Sequence, residues 1–299
     1  METFLQQLIN GVLLGSIYAL IALGYTMVYG VLRLINFAHG DVFMVGAFIG
    51  LYTARALNIS QPSISGALFV MVLSMSGAAL LGVIIERFAY RPVRKYSRLT
   101  SLITAIGVSL FLEYGGQYVF GATPRSYPSL IRIYNIPLMG EVSISNDSIL
   151  VIVVSLLLMV MLNTIVFKTK LGKAMRAVSF NLDVSKLMGI NTNRIIAFTF
   201  VLGSALAAVA GILFAIRFRQ IDPLMGLLTG LKAFVAAVLG GIGNITGAVL
   251  GGLLIGVAET MVAGYVSSTY KDVIAFLVLI MVLLVRPTGL LGSVAQEKV

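Results

Sequence analysis

Apolar runs of about 20 residues recur from one end of this chain to the other, and each is long enough to cross a hydrocarbon core of roughly 30 Å. The 299 residues are 59% hydrophobic and 11% charged. A soluble domain carries about 25% charged residues, so a single water-facing globule is excluded. In lipid the backbone must satisfy its own hydrogen bonds, which leaves helices or a closed barrel. The runs are continuous rather than alternating, which argues against a barrel. The sequence therefore predicts an all-α polytopic membrane protein, with residues 1–299 forming one transmembrane domain.

Nine segments qualify: 5–31, 41–57, 64–85, 99–120, 148–167, 195–216, 223–240, 245–263 and 272–285. One or two can be broken or half-helices, so eight crossings is the rival count. Two basic loops orient them. Residues 87–98 carry Arg87, Arg91, Arg94, Lys95 and Arg98 with no acid, and residues 168–194 carry six basic residues against Asp183. Basic residues collect in cytoplasmic loops, which accounts for the net charge of +10 without nucleic acid. Nine spans then place the N-terminus outside and the C-terminus inside. Arg55, Arg217 and Arg219 fall on the outer side and fit that rule poorly.

Small residues recur at four-residue spacing: Gly46/Gly50, Gly226/Gly230, Gly247/Gly251, Gly252/Gly256 and the series Gly203, Ala207, Gly211. Such stripes let helix backbones approach closely, a main source of attraction in lipid.

Two stretches interrupt the apolar pattern. Asn36, His39 (the only histidine), Gly40 and Asp41 lie between two runs, and Gly40-Asp41 leads into Gly46-Ala47-Phe48-Ile49-Gly50. Gly241, Gly243 and Asn244 follow another run, and lead into Gly247-Ala248-Val249-Leu250-Gly251. Paired interruptions form a weak internal repeat and point to a transport pathway built from broken helices. The plainer reading of the first is an interfacial turn with Asp41 as helix cap. Glu113, Lys232 and Glu259 add three charges inside spans, each costing about 2.5–3.5 kcal/mol at the bilayer centre if unpaired. A Lys232–Glu259 or Lys232–Glu113 pair would lower that cost. There is no cysteine and one histidine, which leaves no evident metal set and few groups for catalysis.

Residues 168–194 are too long for a tight turn. Ala174, Ala177 and Val178 share one helical face, and after Asn181, a good N-cap, Val184, Leu187 and Met188 share another. Gly189 is placed to end the second helix. The expectation is two short amphipathic helices, lying on anionic lipid or forming a docking knob for a soluble partner.

In its pattern GKAMRA…N…LMGI this loop resembles the ATPase-coupling segment of ABC importer permeases. INFAHGD after SIYALIALGYTMVYG, together with GGIGNITGAVLGGLLIG and RPTGLLG, resembles the LivH-type branched-chain amino-acid permeases over nearly the whole chain. The resemblance implies a coupling role for Gly172, Arg176, Ala177, Asn181, Leu187 and Gly189. It puts Asn36, His39, Gly40 and Asp41 in the first family motif and Gly241, Gly243 and Asn244 in the last, all taken as translocation-pathway candidates.

It implies a bacterial cytoplasmic-membrane importer made of this permease, a second related permease, two ABC ATPases and an extracytoplasmic binding protein. The chain has no GxxxxGK[ST] P-loop, so ATP and magnesium are expected on the partner subunits and no cofactor in this chain. Branched-chain amino acids are the expected substrates, with urea or amides as the alternative. The rival mechanism is an ion-coupled secondary carrier using His39, Asp41, Glu113 or Glu259.

Overall fold

A computed structural model describes residues 1–59 and 62–292. Helix α1 (Glu2–Leu32) is apolar on every side and is buried almost continuously from Gly15 to Val28. A helix of that kind has no face to give to water or lipid, and it becomes the core of the bundle. Around it run α2 (His39–Ala56), α3 (Ile64–Ile84) and α5 (Arg98–Phe120). A π-helical turn, Ile85–Tyr90, and the short α4 (Arg91–Val93) extend α3. Next come α6 (Asn146–Lys168), the short α7 (Lys170–Phe180) and α8 (Leu182–Leu187), and the long α9 (Thr192–Phe218). Helices α10 (Met225–Gly240), α11 (Ile245–Tyr265) and α12 (Lys271–Val285) complete the bundle.

Among the described residues, seven helical segments are long and apolar enough to span a bilayer. The nine expected segments all appear as helices, but α2 and α10 are the two that fall short of that standard. Helix α10 is too short and α2, with His39, Asp41 and Arg55, is too polar, which has a structural meaning developed below.

The glycine stripes sit at the helix crossings. A Cβ on Gly252 would strike Ala19, one on Gly256 would strike Gly15, and one on Gly11 would strike Val257, so α1 and α11 pack backbone to backbone. Gly251 likewise faces Ala236, Gly247 faces Gly240, Gly46 faces Ala208, and Gly211 faces Phe43 and Ala47. Removal of side chains at these points lets dispersion contacts form along whole helix faces. By contrast α3, α6 and α12 expose apolar rows such as Leu156, Leu157, Val160 and Met161, as lipid-facing helices do.

Both basic loops lie at one end of the bundle. Arg33, Arg94, Lys95 and Lys186, from three separate connections, line one groove there. The opposite end carries two small antiparallel pairs, β1 (Arg125–Ser126) with β4 (Gln220–Ile221) and β2 (Asn135–Met139) with β3 (Val142–Ser145). There Arg217 lies 3.5 Å from the buried carboxylate of Asp147. That pair accounts for one arginine that fitted the charge rule poorly.

Candidate functional site

The first interruption leads into a helix that starts inside the bundle. Helix α1 ends at Leu32, and Arg33 caps it in the left-handed region at φ 53°. The next residues turn back along the bundle, and α2 begins at His39. The His39 ring packs edge-on against Tyr25, with centroids 4.8 Å apart, and fills the space where a Cβ on Gly24 would stand. Gly24 lies eight residues, about 12 Å of helix rise, before the end of α1. Gly203, also beside the ring, lies eleven residues, about 16 Å, beyond the start of α9. The first turn of α2 thus lies well within the bundle.

Its backbone is satisfied locally: His39 N–H donates to Asn36 C=O at 3.1 Å and Val42 N–H to Ala38 C=O at 3.0 Å. The Tyr90 hydroxyl donates to Asn36 Oδ1 at 3.0 Å, which anchors the returning segment to the π-helical turn. Irregular backbone at this depth is tolerated because protein encloses it.

One expectation needs correction. Asp41 is not the cap of α2, because Ala38 occupies the N-cap and offers no side-chain bond. Asp41 instead lies in the first turn and accepts a hydrogen bond from Ser109 Oγ of α5 at 2.5 Å. Glu113, one turn further along α5, is buried and lies near the same carboxylate. It is not the partner of Lys232.

The short helix α10 meets α2 at its first turns. A Cβ on Gly40 would collide with the carbonyl of Gly226 and crowd Gly230. The partner of the first interruption is therefore the start of α10, rather than the Gly241–Asn244 stretch with which its sequence rhymes. That stretch is a turn between α10 and α11. Gly241 and Gly243 hold φ near 100°, which suits glycine. Asn244 caps α11 by accepting from Gly247 N–H at 3.0 Å, and its amide donates to Leu291 C=O at 2.8 Å. The terminal RPTGLLG segment closes over this turn: Leu290 N–H donates to Leu239 C=O at 2.8 Å, and Leu291 N–H to Gly240 C=O at 3.0 Å.

Lys232 of α10 pairs with Glu259 of α11 at 2.8 Å and also with Asp272 of α12. The Tyr18 hydroxyl of α1 donates to the other Glu259 oxygen at 2.8 Å. Four helices are tied at one buried point. Sequence reading missed Tyr18, Asp272 and Ser109; Asp272 at the start of an apolar span was the one visible signal.

The loop at 168–194 forms the two expected helices. Thr169 caps α7 and Asn181 caps α8, the latter accepting from Asp183 and Val184 N–H at 3.0 Å each. Gly189 ends α8 at φ 81°. The inward face of α7 is Gly172, Met175 and Val178, while Ala177 is half-buried. A Cβ on Gly172 would meet the carbonyls of Ile165 and Val166. Arg176 donates to the Val166 carbonyl and lays its guanidinium over the Phe167 ring at 5.4 Å. These contacts fasten α7 to the C-terminal turn of α6, where a cation is favoured. The apolar side of α8 faces outward: Leu187 is 86% exposed and Met188 77%, with Phe180 of α7 at 88%.

A helical bundle holding a buried α2 that starts deep within it and a short α10, with an apolar knob at its basic end, defines a multi-pass membrane transport protein. The chain belongs to the family described as branched-chain amino acid transport system / permease component, which matches residues 7–283. It is 47% identical to the high-affinity branched-chain amino acid transport system permease protein BraD of Pseudomonas aeruginosa, over 99% of this chain and 98% of the relative. It is 45% identical to LivH of Escherichia coli K12, with the same coverage. A probable branched-chain amino acid transport permease protein of Methanocaldococcus jannaschii is 29% identical over 95% of this chain and 91% of its own length.

Proposed function

We propose that this chain is a transmembrane permease subunit of an ABC importer in a bacterial cytoplasmic membrane, and that it moves branched-chain amino acids inward by alternating access. Relatives alike over nearly their full length carry that substrate class in their names. The partners are a second related permease, two ATPases that bind ATP and magnesium, and an extracytoplasmic binding protein.

The observation that carries the mechanism is the exposed knob of Phe180, Val184, Leu187 and Met188 on a rigidly held base. An apolar helix face of that kind seats in a groove of a soluble partner. Leu187 makes the contact, Asn181 and Gly189 shape α8, and Gly172, Arg176 and Ala177 hold α7 on α6. A push on α7 is carried to α6, and a push on α8 is carried through Gly189 into α9. Helix α9 packs on α2 through Ala208 and Gly46 and touches His39 through Gly203. The movement therefore reaches the α2–α10 junction, whose buried Asn36, His39, Gly40 and Asp41 border the pathway once it opens. Gly241, Gly243 and Asn244 hinge its inner end. The nucleotide-bound partners favour one arrangement because they dock differently on the two.

Uptake into vesicles holding the full assembly tests this. Transport of leucine that needs ATP with ion gradients collapsed supports it. Gradient-driven uptake without ATP overturns it in favour of a secondary carrier, for which Asp41 and Glu113 would be the titrating pair. Transport of urea or amides but not leucine overturns the substrate.

A further inference from the structure

A pocket of about 770 Å³ opens at the basic end, between α1, the α6–α7 corner, the α10–α11 turn and the terminal segment. Arg33 and Arg176 line it, and no carboxylate among the described residues does. Arg33 is exposed, and its side chain makes no hydrogen bond or ion pair with the described residues. Deeper in the pocket Thr26 is buried, and its hydroxyl has no partner among the described residues. Phe167 and Leu291 contribute apolar wall. From Phe167 the exposed apolar row of α6 runs up into the hydrocarbon through Met161, Val160 and Leu157.

We propose that this pocket binds the headgroup of an anionic phospholipid from the cytoplasmic leaflet. The phosphate accepts from the Arg33 and Arg176 guanidinium groups, in the charge-assisted geometry arginine favours. The free Thr26 hydroxyl donates to a glycerol ester carbonyl, and the acyl chains lie along α6. A free phosphate would use the arginines but leave the apolar wall and the α6 row uncovered. Basic pockets between spans on the cytoplasmic side suit anionic lipids for this reason. The lipid would bridge the end of α1 to the coupling helix α7.

The test is native mass spectrometry of the whole assembly, purified after exchange into phosphatidylglycerol or phosphatidylcholine. Wild type is expected to retain phosphatidylglycerol through delipidation and to lose phosphatidylcholine. Arg33→Gln should retain at most a fifth as much phosphatidylglycerol, and Arg33→Lys an intermediate amount. Arg55→Gln, at the other end of the bundle, should match wild type. Unchanged retention in Arg33→Gln, equal retention of both lipids, or displacement of the lipid by millimolar inorganic phosphate each overturns the proposal. If Arg33→Gln does not assemble, Thr26→Val decides: a loss of at least twofold supports the site and no loss overturns it.

Discussion

Lys232 Nζ stands 2.8 Å from Glu259 Oε1, and both side chains are almost fully buried. With Tyr18 and Asp272 the pair links α1, α10, α11 and α12. Breaking a buried pair from one side leaves an uncompensated charge and costs about 3–5 kcal/mol. Lys232→Met should therefore lower the thermal unfolding midpoint of the purified permease sharply. Lys232→Met combined with Glu259→Gln should recover most of that loss. A double variant as unstable as the single one would show that the pair is not the determinant.

The contact of Gly40 with Gly226 leaves no room for a side chain. Gly40→Val should cost about 1–3 kcal/mol or more through overpacking, and should reduce folded permease in the membrane. Gly115 has open space at its Cβ position, so Gly115→Ala should be neutral. Fluorescence-detected gel filtration of both variants checks this.

Leu187 is exposed, so Leu187→Glu should leave permease folding and membrane level unchanged. It should abolish ATP-dependent uptake and reduce co-purification of the ATPases at least tenfold. Arg176→Ala should differ, because it removes a contact that anchors α7 to α6. Both stability and uptake should fall, with partial rescue by Arg176→Lys. Uptake at the normal rate in Leu187→Glu would refute the coupling role.

Ser109 holds the Asp41 carboxylate at the α2–α10 junction. A hydrogen bond to a charged group contributes about 1.5–3 kcal/mol. Ser109→Ala should lower stability by an amount in that range, measured by thermal unfolding. Asp41→Asn, which keeps a group able to bond Ser109, should stay folded yet slow transport at least tenfold if Asp41 faces the pathway. Normal transport in folded Asp41→Asn would remove it from the pathway.

The positions and order of the helices were legible in the sequence, because a segment in lipid satisfies its backbone within itself and its length is set by the bilayer. The charge of the short loops grouped two of them at one end of the bundle, and Asn181 and Gly189 were readable because capping chemistry is local. The stripes at Gly252 and Gly256 announced close crossings but not that α1 lay opposite.

What the tertiary structure alone decided is which distant groups meet. Lys232 had two acids to choose from, and packing of α10 on α11 selected Glu259 while α5 carried Glu113 to Asp41. The sequence likeness between Gly40-Asp41 and Gly243-Asn244 suggested equivalent breaks, yet one starts a helix deep in the bundle and the other is a hairpin turn sealed by Leu290 and Leu291. Depth and partnership are relations between helices far apart in the chain. They follow from how small and large side chains interlock across the whole bundle, which no local stretch encodes.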